Sequence, residues 1–262
     1  MVGLLQGKKG LVIGVANERS IAWGISRVLS KHGADLAFTY QAGGFEKRVR
    51  PLGESVGSNL IFQADVQNKK SLDFVFEQIE KEWSGLDFLI HAIAYSDKEE
   101  LSGRFINTSK ENFIQSLEVS CFSLVDLSKR AVPLMKKGGA ITTVTYMGSQ
   151  RVTPNYNVMG VAKAALESAV RYLASDLGSQ NITVNAISPG PMKTLAGAAI
   201  GGARTVYRTT EANAPLKSNP SLDSVGGTAL YLISDYGKHT TGEIIFVDGG
   251  YHVMGLPRME NL

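Results

Sequence analysis

Cysteine, charge of one sign and long hydrophobic runs are all scarce in this 262-residue chain. The single cysteine, Cys121, has no partner for an internal disulfide, and the opening MVGLLQGKKG lacks the apolar stretch of a secretory leader, so a reducing cytoplasm is expected. No window approaches about eighteen consecutive apolar residues, which excludes a helix spanning a membrane. The four histidines, His32, His91, His239 and His252, show no metal-ligand spacing, and no metal is expected. Lys and Arg number 27 against 24 Asp and Glu, and the resulting charge of +3 is too small and dispersed for a nucleic-acid partner. Internal repeats, low-complexity tracts and linkers between separate cores are absent too. What is present is 44% hydrophobic and 19% charged residues, enough apolar surface for one large core. The length exceeds the commonest domain size, but open α/β sheets often reach it, so residues 1–262 are expected to form one domain.

Short apolar runs alternate with patterned helical stretches along most of the chain. KGLVIGVA from Lys9, DLAFTY (35–40), NLIFQADV (59–66), LDFLIHAIA (86–94), AITTVTYM (140–147), TVNAIS (183–188) and EIIFVDGG (243–250) read as seven strands. Between them lie helical patterns near 21–32, 45–55, 71–83, 110–129, 158–177 and 222–234. Strands that are apolar along their whole length are buried on both faces, so the pattern predicts an α/β fold: a doubly wound, parallel, Rossmann-like sheet with helices on each side. Such sheets bind ligands beyond the carboxyl ends of their strands, at the switch point. The stretch 189–219 is rich in small residues and has no clean period, and is expected to supply a mobile flap, about 191–218, over that site.

After the first strand the G-x-G-x-x-G fingerprint is missing, and only Gly14 and Gly24 remain. Gly14 can turn the backbone tightly, Ser20 can reach a phosphate or cap the following helix, and Gly24 can let helix and strand pack closely. The second strand ends in Tyr40-Gln41 rather than in an acid. Gln41 can bond ribose hydroxyls, which favours NADH mildly, while Lys47 and Arg48 either serve NADPH or are solvated helix charges. Asp65 of Asp65-Val66 can accept from an adenine amino group or cap the next helix. The most informative spacing is Tyr156 to Lys163, about two helical turns, which places both side chains on one face. A cation there lowers the tyrosine pKa, as a proton donor or oxyanion partner needs. Cys121, beside Phe122 and Leu124, reads as a small core residue and not a nucleophile.

From the strand–Gly14 turn through Asp65-Val66, Tyr156–Lys163, Ser188-Pro189-Gly190-Pro191 and Val247-Asp248-Gly249-Gly250, essentially the whole chain resembles the short-chain dehydrogenase/reductase family. Within it, GVANERSIAWGI, LAFTYQ, HAIA, TYMGSQRVTPNYNVMGVAKAALE and GPMKTLA resemble the enoyl-acyl-carrier-protein reductases of bacterial type II fatty-acid synthesis. Tyr146 stands where ordinary members carry a serine that polarises a ketone. His91-Ala92-Ile93-Ala94 replaces an Asn-Asn-Ala-Gly run, and the helix asparagine that holds a relay water is replaced near Val119-Ser120. Ala94 departs from members that have glycine there, and its methyl narrows the pocket.

The resemblance implies hydride transfer from NADH to the β-carbon of a trans-2-enoyl thioester. Tyr156 would donate a hydrogen bond to the thioester oxygen, Lys163 would hold the nicotinamide ribose, and Tyr146 would shape the pocket and assist proton delivery. Gly14, Ser20, Ile21, Gln41, Asp65, Val66 and Ile93 would surround the adenosine and phosphates. Met192, Lys193, Thr194, Leu195 and Ala196 would cover the nicotinamide and pyrophosphate, with Thr194 bonding a phosphate or carboxamide, or capping a helix. Ala94, Tyr95, Ser96, Ala198, Ile200, Val206 and Tyr207 would join the two tyrosines around the acyl chain. Lys193, Arg204, Arg208 and Lys217 would steer an acidic acyl carrier protein, and the closing strand would pack in a homotetramer. A 3-oxoacyl-thioester reductase or other short-chain dehydrogenase is disfavoured by Tyr146, and a non-catalytic dinucleotide sensor by the intact Tyr156 and Lys163.

Overall fold

In a computed structural model describing residues 3–198 and 200–261, seven parallel strands form one sheet. They are β1 (Lys9–Ile13), β2 (Asp35–Tyr40), β3 (Ile61–Gln63), β4 (Phe88–His91), β5 (Gly139–Val144), β6 (Ile182–Pro189) and β7 (Ile244–Val247), in the order β3-β2-β1-β4-β5-β6-β7. The chain winds outward from β1 to β3, then crosses back to pair β4 with the free edge of β1, with Gly10 opposite Phe88 and Ile13 opposite His91. That reversal is the expected switch point.

The strand side chains alternate between two cores, as a period of two requires. Val12, Phe38, Ile90, Val144 and Ile187 face α1 (Ile21–Lys31), α2 (Gly43–Ser55) and α9 (Leu222–Ile233). Leu11, Ala37, Leu89, Ile141 and Val184 face α3 (Lys69–Trp83), α5 (Ser123–Ala131) and α6 (Val158–Leu177). Burial on both faces explains why these strands are apolar throughout.

Three expectations are corrected. The helix read as continuous over 110–129 is α4 (Lys110–Leu117) and α5 separated by a widened π turn, Glu118–Phe122. The stretch 189–219 carries two helices, α7 (Leu195–Ala198) and α8 (Ala203–Asn213). Gly24 serves a helix–helix crossing and not a strand: a Cβ there would lie 2.6 Å from the Cβ of Leu222 on α9. Periodicity cannot see the last point, because the partner lies about two hundred residues downstream in sequence.

Candidate active site

Loops leaving the carboxyl ends of β1, β4, β5 and β6 enclose a cavity of about 1340 Å³. At its nucleotide end Gly14 has φ 117°, and a Cβ there would fall 2.1 Å from the carbonyl oxygen of Ala92. Only glycine lets the loops after β1 and β4 approach so closely. Ser20 lines the cavity and does not cap α1: its Oγ accepts from Ala16 N–H and Asn17 N–H, both at 3.0 Å. The hydroxyl therefore shapes the loop, and the first turn of α1 is left without a side-chain cap, as an anion site at a helix N-terminus requires. Ile21, Ile93 and Met192 add apolar lining. This donor set and close backbone approach fit a dinucleotide.

Gln41, Asp65 and Val66 lie outside the cavity wall, at the ends of β2 and β3. Gln41 Nε2 donates to Asp65 Oδ2 at 3.2 Å, and the other Asp65 oxygen accepts from Gln67 N–H at 2.9 Å. Asn68, not Asp65, caps α3. Lys47 and Arg48 are exposed on α2.

The chemical end is built from β5 and α6. Tyr146 follows β5 and meets Tyr156 edge to face, with ring centroids 5.0 Å apart. Tyr156 is buried with Leu101 and Met159, and Tyr146 and Ile200 pack against this group. Lys163 is buried on α6, its Nζ donating to the Val144 carbonyl at 2.7 Å. Burial lowers the ammonium pKa to about 8, against the raising influence of Cys121 and Glu167, so it stays mostly charged at pH 7. Burial raises the Tyr156 pKa, and Tyr146 and Glu167 raise it further. The expected lowering by Lys163 is thus overturned, because spacing along a helix reveals proximity and not desolvation. A phenol kept neutral is a hydrogen-bond donor. Tyr146 is likewise pushed up to about 12, chiefly by burial.

Behind this pair, His91 is fully buried, and burial with the charge of Lys163 pushes its pKa down to about 3. Ser123 Oγ donates to Val119 O at 2.6 Å, so it accepts from His91 Nε2–H at 2.8 Å, and Thr143 Oγ1 donates to Nδ1 at 2.7 Å. The π turn carries Ser120, whose Oγ accepts from Tyr95 N–H at 3.0 Å and donates to Tyr95 O at 3.2 Å. Glu167, also buried, accepts from Thr145 at 2.8 Å and from Ser149 at 2.5 Å, fixing the segment that carries Tyr146. Cys121 is half-buried, and desolvation raises its thiol pKa, consistent with a packing role.

The remaining lining includes Ala94, Tyr95 and Ser96, and Lys193, Leu195, Ala196, Ala198, Ile200, Val206 and Tyr207. Thr194 also lines it, but its Oγ1 accepts from Gly197 N–H at 2.9 Å, the capping alternative. Lys193 Nζ lies 4.7 Å from the Tyr207 ring centroid. Arg204 and Arg208 are exposed one turn apart on α8, whereas Lys217 is paired with Glu260 at 2.8 Å and is less available to a partner. No group of three or more potential metal ligands occurs among the described residues.

Sequence reasoning missed Leu101, Met159 and Glu167. Met159 and Glu167 carried a signal, lying three residues after Tyr156 and four after Lys163, whereas Leu101 sits in an irregular segment with none.

A family model described as enoyl-(acyl carrier protein) reductase matches residues 14–252. The NADH enoyl-acyl-carrier-protein reductase FabI of Rickettsia conorii is 53% identical over 98% of this chain and 99% of its own. A crystal structure of FabI from Candidatus Liberibacter asiaticus superposes with TM-score 0.96 at 50% identity, covering 98% of this chain and all of that one. The Anaplasma phagocytophilum enoyl-(acyl-carrier-protein) reductase in complex with NAD superposes with TM-score 0.95 at 49% identity, covering 99% of each chain. With this agreement over essentially its whole length, the chain belongs to the enoyl-acyl-carrier-protein reductase family.

Proposed function

We propose that the protein reduces trans-2-enoyl thioesters on acyl carrier protein to saturated acyl thioesters, using NADH, within type II fatty-acid synthesis. The carrying observation is the buried Tyr146–Tyr156 pair beside Lys163, in a cavity with a nucleotide arm and an apolar arm. NADH, when bound, supplies the hydride for the β-carbon. Tyr156, neutral through burial, donates to the thioester oxygen, a contact worth about 3 kcal/mol in the transition state. Lys163 keeps the local potential positive and bonds the nicotinamide ribose, while Tyr146 walls the pocket and assists proton delivery. The carboxylate of Asp65 beside Gln41 disfavours a 2′-phosphate, which supports NADH over NADPH.

The flap of about 191–218, of which residue 199 lies outside the described residues, covers the acyl chain with residues 191–198 and 200–218, and Arg204 and Arg208 on it steer the acidic carrier. Exposed apolar residues Ile114, Phe122 and Val125 support burial of that face in a cytoplasmic homotetramer. The test follows absorbance at 340 nm with crotonyl thioester and NADH, NADPH in parallel, and acetoacetyl thioester as the competing substrate. Crotonyl-dependent NADH oxidation that Tyr156→Phe reduces about 100-fold is expected. Turnover of the acetoacetyl substrate alone would overturn the reading.

A further inference from the structure

Tyr156 stands between two asparagines whose backbones are both left-handed, with φ 58° at Asn155 and 40° at Asn157. Tyr156 N–H donates to Thr153 O at 3.2 Å, closing a turn with Pro154 second and Asn155 third, the arrangement of a type II turn. Its carbonyl then accepts from Met159 N–H at 2.9 Å, opening a second turn. Asn157 is second there with ψ −122°, a conformation that glycine ordinarily supplies. The phenol-bearing residue is thus the last of one turn and the first of the next, held on both sides by residues in an unfavourable conformation.

The side chains supply a reason for asparagine at these places. Asn155 Nδ2 donates to Gly201 O at 2.9 Å, in the segment that roofs the cavity between α7 and α8. Asn157 Nδ2 donates to Glu100 O at 3.2 Å and Gly103 O at 3.4 Å, bracketing the segment that lays Leu101 against Tyr156. A primary amide can donate to a carbonyl from these positions; a carboxylate cannot. We propose that Asn155 and Asn157 are positioning residues that tie Tyr156 to the two segments walling the cavity, so that seating an acyl chain also sets the phenol. The proposal rests on the reductase reading, since it assigns the phenol a substrate to meet.

Glycine variants separate this role from simple support of the fold, because glycine accepts both backbone conformations while removing the amide donor. Asn155→Gly should raise KM for crotonyl thioester about fivefold, the value of one hydrogen bond, and leave NADH affinity unchanged. It should also speed amide hydrogen exchange over residues 200–208 in the unliganded protein. Asn157→Gly should lower kcat about fivefold with an unchanged or higher Tm. Asn155→Asp, nearly isosteric, sets acceptor against acceptor and should weaken substrate binding at least as much as Asn155→Gly. Wild-type kinetics and exchange in both glycine variants, or activity losses that track losses of Tm, would overturn the proposal. Failure of the wild-type enzyme to reduce any enoyl thioester would sink the reductase reading instead, and the exchange measurement would still test the Asn155 contact.

Discussion

Replacing Lys163 with methionine should make the unliganded protein more stable at neutral pH while destroying its activity. Lys163 is 5% exposed, and its ammonium donates to the Val144 carbonyl at 2.7 Å. Burial lowers its pKa from 10.5 to about 8. Because the folded value lies below the unfolded one, the unfolded chain binds more protons between these limits, and stability rises with pH across that window. Burying this amine therefore costs the fold about 3 kcal/mol at pH 7 and roughly half that at pH 9.5, where the folded form has given up its proton. Methionine fills similar space without the charge but forfeits the bond to Val144, a charged hydrogen bond worth about 2 kcal/mol. The net gain at pH 7 is about 1 kcal/mol, or roughly 2–4 °C in Tm. At pH 9.5, where the folded lysine is largely neutral and its bond to Val144 is an ordinary one, the gain should shrink toward zero. Thermal unfolding of both proteins without NADH, at one protein concentration and both pH values, measures this directly. A variant less stable than wild type at pH 7, by an amount that does not change with pH, would refute the reasoning.

His91 titrates in the opposite part of the pH range. Its folded pKa of about 3 lies below 6.5, so its contribution is present above pH 6.5 and is lost on acidification at up to about 1.4 kcal/mol per pH unit. Denaturant midpoints at pH 7 and pH 5 should accordingly fall less for His91→Gln than for wild type. Arg204→Glu with Arg208→Glu should raise KM about tenfold for carrier-linked substrate and leave the CoA thioester unaffected, and equal effects on the two would remove the steering role. Gly24→Ala forces a methyl to within 2.6 Å of Leu222 and should destabilise by about 1–3 kcal/mol in chemical denaturation.

The architecture was legible because both-face burial writes itself into composition: Leu11, Val12 and Ile13 serve two different cores from one strand. Strand ends were less so, and NLIFQADV shortens to Ile61–Gln63 as the backbone turns at Asp65. At the site, the Tyr156–Lys163 interval disclosed a shared helix face, but the direction of the tyrosine shift depended on burial supplied by Leu101, Met159 and Ile200 from distant segments. Ser20 and Thr194 were legible as oxygen-bearing loop residues, whereas their nearest amide partners, Ala16, Asn17 and Gly197, emerged only from the folded loops. The corrected role of Gly24 has the same origin, for no local pattern announces Leu222.

The sheet order also bears on how the chain matures. β1, β2 and β3 lie within the first 63 residues and can pair as soon as they are made, yet one edge of β1 waits for Phe88–His91. The cavity forms at that late-closing seam, and its roof at Ile200, Val206 and Tyr207 is synthesised later still. A nascent chain therefore exposes an unpaired central edge, the exposure that invites misassembly in slow-folding parallel sheets. A dinucleotide that engages both sides of the seam would favour the completed fold by mass action, linking cofactor supply to the yield of mature enzyme.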